Sequence, residues 1–204
     1  MKKYLMVLMI AVCALVVAGN AMAYIVPDDL ALDFRTTAWT GAYNNPFWTV
    51  GDVTATALPQ GSLLFQANDD GLGILGGEPD EVDHEEQLSV VINLGMSLSG
   101  VWITDLFTRS DGADPVNGEY GSVLINGLDT YYFMGINSDQ GNGDQYVSFG
   151  GAKLVTSALF QIEGGTNNND FSVAGFTRVP EPATMMLLGL GMLGLAGVWR
   201  KFKK

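Results

Sequence analysis

The chain has 204 residues, with 10 Lys and Arg against 22 Asp and Glu, which gives a formal net charge of −12 at pH 7. This excess of acid excludes a nucleic-acid binder, because affinity for phosphate backbones comes mainly from Lys and Arg. A single Cys excludes a disulfide scaffold and a zinc ribbon. With 48% hydrophobic residues the chain is unlike a disordered protein, and its length suits one ordinary domain.

The N-terminal segment has the pattern of a secretory signal peptide. Lys2 and Lys3 precede an apolar run, and Ala21 and Ala23 form the small-x-small pattern that signal peptidase cleaves. We predict a signal peptide over residues 1–23, cleavage after Ala23, and the secretion translocon and signal peptidase as partners. The alternative is an uncleaved N-terminal membrane anchor, for which the apolar run is short.

Residues 24–178 form the predicted mature domain, and they are strongly acidic. The segment holds 21 acidic residues and four basic ones. Such a charge repels anionic polymers and anionic lipid surfaces at long range, unless cations bridge them. Nucleic acid is therefore not an expected partner.

Apolar residues of this domain recur with a period of two, which indicates half-buried β-strands. In residues 88–94, Leu, Val, Ile and Leu alternate with Ser, Val and Asn. Asn126–Gly127 predicts a hairpin between two strands. The other candidate strands, separated by turn-rich segments, are residues 48–58, 63–67, 100–107, 121–125, 131–136, 145–149, 153–162 and 171–177. We predict an all-β fold, an antiparallel β-sandwich of jelly-roll-like type with about nine strands.

A run of carboxylates lies ahead of the strand at residues 88–94. Six acidic side chains within residues 78–86 repel one another. Calcium takes about six to eight oxygen ligands, so a bound calcium ion would relieve this repulsion. We predict Asp80, Asp83 and Glu86 as calcium ligands; the alternative is that they are solvated or cap backbone N–H groups. A second oxygen-rich loop, residues 137–144, has spacings partly like those of an EF-hand loop.

The sequence contains no recognisable catalytic motif. His84 is the only His, it lies within the acidic run, and no G-x-S-x-G or H-E-x-x-H pattern surrounds it. A glycosidase needs two carboxylates across a cleft, and the sequence singles out no such pair. We therefore predict that the protein is not an enzyme. The alternative is a secreted carbohydrate-active enzyme on a β-sandwich fold.

Aromatic residues between positions 39 and 48 indicate a surface for sugars. β-Sandwich modules bind glycans by stacking sugar rings on exposed aromatic side chains. We predict Trp39 and Tyr43 as glycan-stacking residues. The alternative is core packing, because adjacent aromatic residues in a strand point to opposite faces.

The C-terminal segment 179–204 has three parts in a fixed order. A motif at residues 179–183, which includes Pro180, Glu181 and Pro182, precedes an uncharged apolar stretch at residues 183–199. At about 1.5 Å per residue this stretch is just long enough for a transmembrane helix. The positive-inside rule then keeps the basic tail that follows in the cytoplasm. The tail consists of Arg200, Lys201, Lys203 and Lys204.

This order of motif, apolar helix and basic tail resembles the PEP-CTERM sorting signal of exosortase substrates. The resemblance implies export in a Gram-negative bacterium, transient anchoring in the inner membrane, and processing by exosortase near Pro180–Pro182. It also implies transfer to the envelope of a bacterium that makes exopolysaccharide. Together with the lack of a catalytic motif, this leads us to predict a noncatalytic protein of the cell surface or extracellular matrix, with exopolysaccharide or a biofilm as its surroundings. The alternative is a permanently membrane-anchored glycan-binding protein.

Overall fold

The computed structural model describes residues 26–76, 81–106, 119–135, 143–164 and 170–178. The predicted signal peptide with Ala21 and Ala23, Asp80, and segment 179–204 lie outside the described residues. The ten strands that the structure describes pair with one another antiparallel, so the prediction of an antiparallel all-β domain is confirmed. The strands are β1 (Leu32–Asp33), β2 (Phe47–Val50), β3 (Val53–Leu58), β4 (Leu63–Ala67), β5 (Gly71–Leu75), β6 (Gln87–Thr104), β7 (Tyr120–Ile125), β8 (Asp129–Met134), β9 (Gln145–Ile162) and β10 (Ser172–Thr177).

Two long strands, β6 and β9, connect the whole sheet. Each has 18 residues, and they pair in a register that runs from Gln87↔Gln161 to Ile103↔Gln145. The sheet follows the order β4-β5-β10-β6-β9-β7-β8, while β1 pairs with β10 and the β2-β3 hairpin joins β6 through β3. One half of the sheet, β1, β4, β5 and β10, therefore lies beside the C-terminal part of β6. The other half, β2, β3, β7 and β8, lies beside the N-terminal part of β6 and the segment of β9 that pairs with it.

The hydrophobic core forms where side chains of the two halves meet. The ring centroid of Phe160 in β9 lies 6.0 Å from that of Phe176 in β10, and Phe133 in β8 packs edge-on against Phe171 at 4.9 Å. All four side chains are buried. The strands nevertheless belong to one continuous sheet, which the prediction of a jelly-roll-like sandwich did not anticipate, because β6 and β9 pass through both halves.

The periodicity analysis also misplaced several strand boundaries. β6 and β9 each replace two predicted strands, because β6 bends instead of ending at Gly95, whose φ of +68° suits glycine. The predicted strand 48–58 is the β2-β3 hairpin, which turns at residues 51–52. β5 was not predicted because its sequence, GLGIL, is typical of a loop. Gly71 approaches the Val173 carbonyl of β10 so closely that a Cβ would collide with it.

The hairpin predicted at Asn126–Gly127 is confirmed between β7 and β8. Both residues have positive φ, +54° and +68°, a conformation that Asn and Gly tolerate. The Asn126 side chain also holds β9, since its Nδ2 donates to the Leu154 carbonyl at 2.8 Å. Its Oδ1 accepts hydrogen bonds from the N–H of Thr156 (2.8 Å), the Thr156 hydroxyl (3.0 Å) and the N–H of Ser157 (3.2 Å).

Replacing Asn126 with Ala is expected to lower the free energy of unfolding by about 2 kcal/mol, because hydrogen bonds to β9 are lost and Ala is strained at positive φ. Asn126→Gly loses the same hydrogen bonds without that strain, so its effect should be smaller. Leu128→Ala, at an exposed site of the same turn, is the control and should change stability by less than about 0.5 kcal/mol. Urea unfolding measures all three; an Asn126→Ala variant as stable as the wild type contradicts this role.

Candidate functional site

Asp83 and Glu86 form a turn ahead of β6. Glu86 Oε2 accepts a hydrogen bond from the Asp83 N–H at 3.1 Å, and Asp83 Oδ1 accepts one from the His84 N–H at 2.9 Å. Burial raises the pKa of Glu86, the hydrogen bond from Asp83 opposes the rise, and the Asp83 charge adds to it. In this turn, each of the two carboxylates thus has one oxygen engaged by a backbone N–H.

The calcium prediction for Asp80, Asp83 and Glu86 stays a prediction. Asp80 lies outside the described residues. Within residues 26–76, 81–106, 119–135, 143–164 and 170–178, no three or more His, Cys, Asp and Glu side chains are grouped so that they could hold a metal ion. Of the second oxygen-rich loop, 137–144, the structure describes only the last two residues.

The two predicted glycan-stacking residues have opposite environments. Trp39 lies in the 3-10 helix Thr37–Ala42, is 1% exposed and packs edge-on against Phe34 at 4.9 Å. A buried ring has no free face for a sugar, so the prediction for Trp39 is wrong and the residue is part of the core. Tyr43 is 52% exposed and contacts Phe65 edge-on at 5.4 Å. Its role in glycan stacking stays a prediction.

A polar pocket of about 420 Å³ lies beside β1 and the β4-β5 turn. Arg35 is its basic residue: Nε and Nη2 donate to the two carboxylate oxygens of Asp33 at 3.0 and 2.9 Å, and Nη2 also donates to the Pro27 carbonyl at 2.8 Å. These hydrogen bonds to Asp33 raise the pKa of Arg35. The lining residues are Val26, Asp28, Asp33, Arg35, Thr36, Asn68, Asp69 and Asp144. With Arg35 held by Asp33, the remaining lining carboxylates favour cationic or hydroxyl-bearing ligands over anions.

Three carboxylates from distant parts of the chain lie at this pocket: Asp144 lines it, and Asp70 and Asp105 lie beside it. Asp70 follows β4, Asp105 follows β6 and Asp144 precedes β9. Burial raises the pKa of Asp70, the charge of Asp69 adds to the rise, and a hydrogen bond with Asp105 opposes it. Burial also raises the pKa of Asp144, opposed by a hydrogen bond from the Val26 backbone and by Arg35, while Asp70 adds to the rise.

Sequence reasoning did not find this cluster. It placed Asp144 in the second oxygen-rich loop, residues 137–144, and it gave Asp70 and Asp105 no functional role. The three positions share no sequence motif. Only the register of β5, β10, β6 and β9 brings them to one end of the sheet.

The chain leaves the described domain at the end of β10. This strand lies between β5 and β6 and also pairs with β1, and its Val173 and Phe176 are fully buried. Thr177 is half-buried, its hydroxyl lies 3.2 Å from that of Ser99, and Arg178 is exposed. β10 therefore ends at Thr177, and the next residue, Arg178, already lies at the surface.

The segment that follows the domain carries a protein-sorting motif. Residues 178–201 match the PEP-CTERM protein-sorting motif, so the chain carries this motif and the resemblance found in the sequence is confirmed. The motif indicates an extracellular protein with exosortase as its processing partner, and export with membrane-associated sorting in a Gram-negative bacterium. No curated protein and no solved structure matches the chain.

The predicted sorting residues Pro180, Glu181 and Pro182 and the basic tail 200–204 lie outside the described residues, as does the predicted transmembrane helix 183–199. Among the residues that the structure does describe, no helix has the length and apolar character needed to cross a membrane.

The carboxylates next to the pocket predict that stability falls as the pH rises. A carboxyl group whose pKa is higher in the folded than in the unfolded state binds protons more readily when folded, so its ionisation destabilises the fold above the unfolded-state value. Asp70→Asn and Asp144→Asn should each raise the melting temperature at pH 7, and each should reduce the rise in melting temperature that the carboxyl group causes when the pH is lowered from 7 to 4. Thermal unfolding against pH measures this effect. Asp52→Asn, at an exposed turn, is the control, and pH curves of the first two variants parallel to the wild type contradict the assignment.

Proposed function

We propose that this is a noncatalytic protein of the cell surface or extracellular matrix, which exosortase releases from a transient membrane anchor and which then associates with exopolysaccharide. The observation that carries the proposal is the PEP-CTERM motif at residues 178–201. In this proposal the N-terminal segment 1–23 directs export, the apolar segment 183–199 holds the chain in the inner membrane, and the acidic domain is the part that is presented.

The end of β10 supports this division of the chain. Processing near Pro180–Pro182 would fall after the exposed Arg178 and would leave β10, with its buried Val173 and Phe176, in place. The strand contacts of β10 are with β1, β5 and β6, all of which precede the motif. A cut in the motif therefore removes no strand that the structure describes.

The noncatalytic part of the proposal is supported by the residue inventory. The chain has one His, and no nucleophile motif surrounds it. In the described turn, the backbone N–H of His84 donates to its neighbour Asp83. A structural or binding role needs none of the activated groups that catalysis requires.

The sorting proposal is tested with the full chain in a Gram-negative host that has exosortase, compared with the same host lacking it. With exosortase, intact-mass analysis should find a released protein that begins at Tyr24 and has lost the apolar segment and basic tail. Without it, the chain should stay in the membrane fraction with its C-terminus intact.

A double variant, Pro180→Ala with Pro182→Ala, should stay membrane-bound even when exosortase is present, whereas Leu128→Ala, an exposed change far from the motif in sequence, should be released normally. A wild-type chain that keeps residues 183–204 in the exosortase host contradicts the proposal and favours a permanent anchor. Release of new reducing ends from polysaccharide by the purified protein would instead favour the carbohydrate-active enzyme.

A further inference from the structure

Six neighbouring strand segments present their outward side chains on one continuous face. Inward residues of these segments, such as Ala55, Leu88 and Phe160, are buried in the core, so the alternating residues lie on the other side. We call the outward side chains the outer face. The segments, in the order of their pairing, are β2, β3, residues 87–92 of β6, residues 157–162 of β9, β7 and β8.

The outer face carries no charged strand residue. Asp129, the only charged residue within the six described segments, shares the inward parity of Tyr131 and Phe133 and forms an ion pair with Lys153 at 2.6 Å. Residues 24–178 as a whole contain 21 acidic and four basic residues, so six neighbouring strand segments without an outward charge depart from the rest of the domain. A carboxylate does reach this face from the residue directly after β9, because Glu163 Oε1 accepts hydrogen bonds from Ser122 and Gln161. Charge complementarity therefore favours an uncharged partner over an anionic one at this face.

A row of polar side chains crosses the outer face perpendicular to the strands. The register aligns Gln87, Gln161, Ser122 and Tyr132 on β6, β9, β7 and β8. Gln87 Nε2 donates to Gln161 Oε1 at 3.0 Å, and Gln161 Nε2 donates to Glu163 Oε1 at 2.9 Å. The Ser122 hydroxyl donates to the same Glu163 oxygen at 2.7 Å. These hydrogen bonds fix the amide planes before any ligand arrives, which lowers the entropy cost of binding.

Aromatic rings lie at one end of this row. Tyr132 is 59% exposed and stacks on Tyr120, with ring centroids 5.8 Å apart and an angle of 12° between the planes. At a strand spacing of about 4.8 Å, the row from β8 to β6 spans about 14 Å, which is longer than one sugar ring. At the opposite edge of the face, on β2, Phe47 is also 59% exposed.

We propose that the outer face is a glycan-binding surface that takes an uncharged stretch of polysaccharide across its strands. A sugar ring stacks its C–H face on Tyr132, and the hydroxyl groups of the chain bond to the amides of Gln161 and Gln87. This inference rests on the proposed surface or matrix function and names the part of the domain that would carry it.

The composition of the outer face favours a glycan over a protein partner. The centre of a protein interface is more apolar than the surrounding surface, and it is enriched in aromatic side chains and Met and depleted in Ser. Here the centre of the face, on β3, β6 and β9, mixes hydroxyl and amide groups with few large apolar side chains, and its exposed rings lie towards the edges. The polar members on these three strands are Thr54, Thr56, Gln87, Ser89, Ser157 and Gln161.

The test is calorimetry of the purified full chain with neutral hexasaccharides of glucose, mannose, galactose and xylose, and with a hexamer of galacturonic acid as the charged probe. At least one neutral probe should bind, and the charged probe should bind more weakly. Tyr132→Ala should weaken the binding by about tenfold because one stacking contact is lost. Gln161→Ala should weaken it as well, with both variants unfolding within a few degrees of the wild type.

Leu94→Ala is the matched control, since Leu94 is 80% exposed but lies outside the six segments of the outer face. It should bind like the wild type. The proposal is overturned if no neutral probe binds at millimolar concentration, if Tyr132→Ala binds normally, or if Leu94→Ala abolishes binding instead. Sedimentation in which Tyr132→Ala dissociates a wild-type dimer that binds no probe would also overturn it, because the face would then be a contact between two copies.

The exosortase experiment distinguishes failure of this inference from failure of the proposed function. Tyr132→Ala should be processed and released like the wild type, because Tyr132 lies in β8, outside the sorting motif. Normal release without glycan binding overturns only the outer-face proposal. Retention of the wild-type chain in the membrane overturns the proposed function on which it rests.

Discussion

The pairing of β6 with β9 is the interaction on which the rest of this fold depends. These two strands of 18 residues each form the longest ladder of the domain, and β10, β3 and β7 all attach to one or the other. Because the two strands continue through their bends, they bring the two halves of the sheet together around Phe160 and Phe176. The same ladder places the amides of Gln87 and Gln161 side by side on the outer face and brings Asp105 and Asp144 to its opposite end.

Basic and acidic residues lie in different parts of the chain. Six of the ten basic residues lie in the predicted signal peptide, residues 1–23, and in segment 179–204, which contains most of the sorting motif. In the described domain the carboxylates lie mostly in turns and at strand ends, and some of them are buried, while the outward strand positions of the outer face carry no charge. Net charge keeps a domain soluble, and the low charge of one face leaves that face free to contact a neutral surface. The acidic composition, which excludes nucleic acid as a partner, is thus consistent with a partner without charge at the outer face.

The sequence predicted those features that depend on local patterns. Alternating hydrophobicity located most strands, Asn126–Gly127 located a hairpin, and the order of residues 179–204 identified the sorting motif. Prediction from the sequence failed where contacts between distant residues determine the structure. Trp39 is buried against Phe34 instead of exposed. The segment GLGIL forms a strand because Gly71 can approach β10 closely. The cluster of Asp70, Asp105 and Asp144 and the row on the outer face depend on strand register, which periodicity alone does not supply.

We expect the described domain, whose last strand is β10, to fold without the sorting segment that follows. This expectation is tested by comparing the thermal unfolding of the full chain with that of the form released by exosortase, under the same solvent conditions. The two melting temperatures should agree within about 2 °C, a difference that corresponds to less than about 1 kcal/mol for a domain of this size. A released form that melts well below the full chain, or that is unfolded, would contradict it, because residues after Arg178 would then be part of the fold.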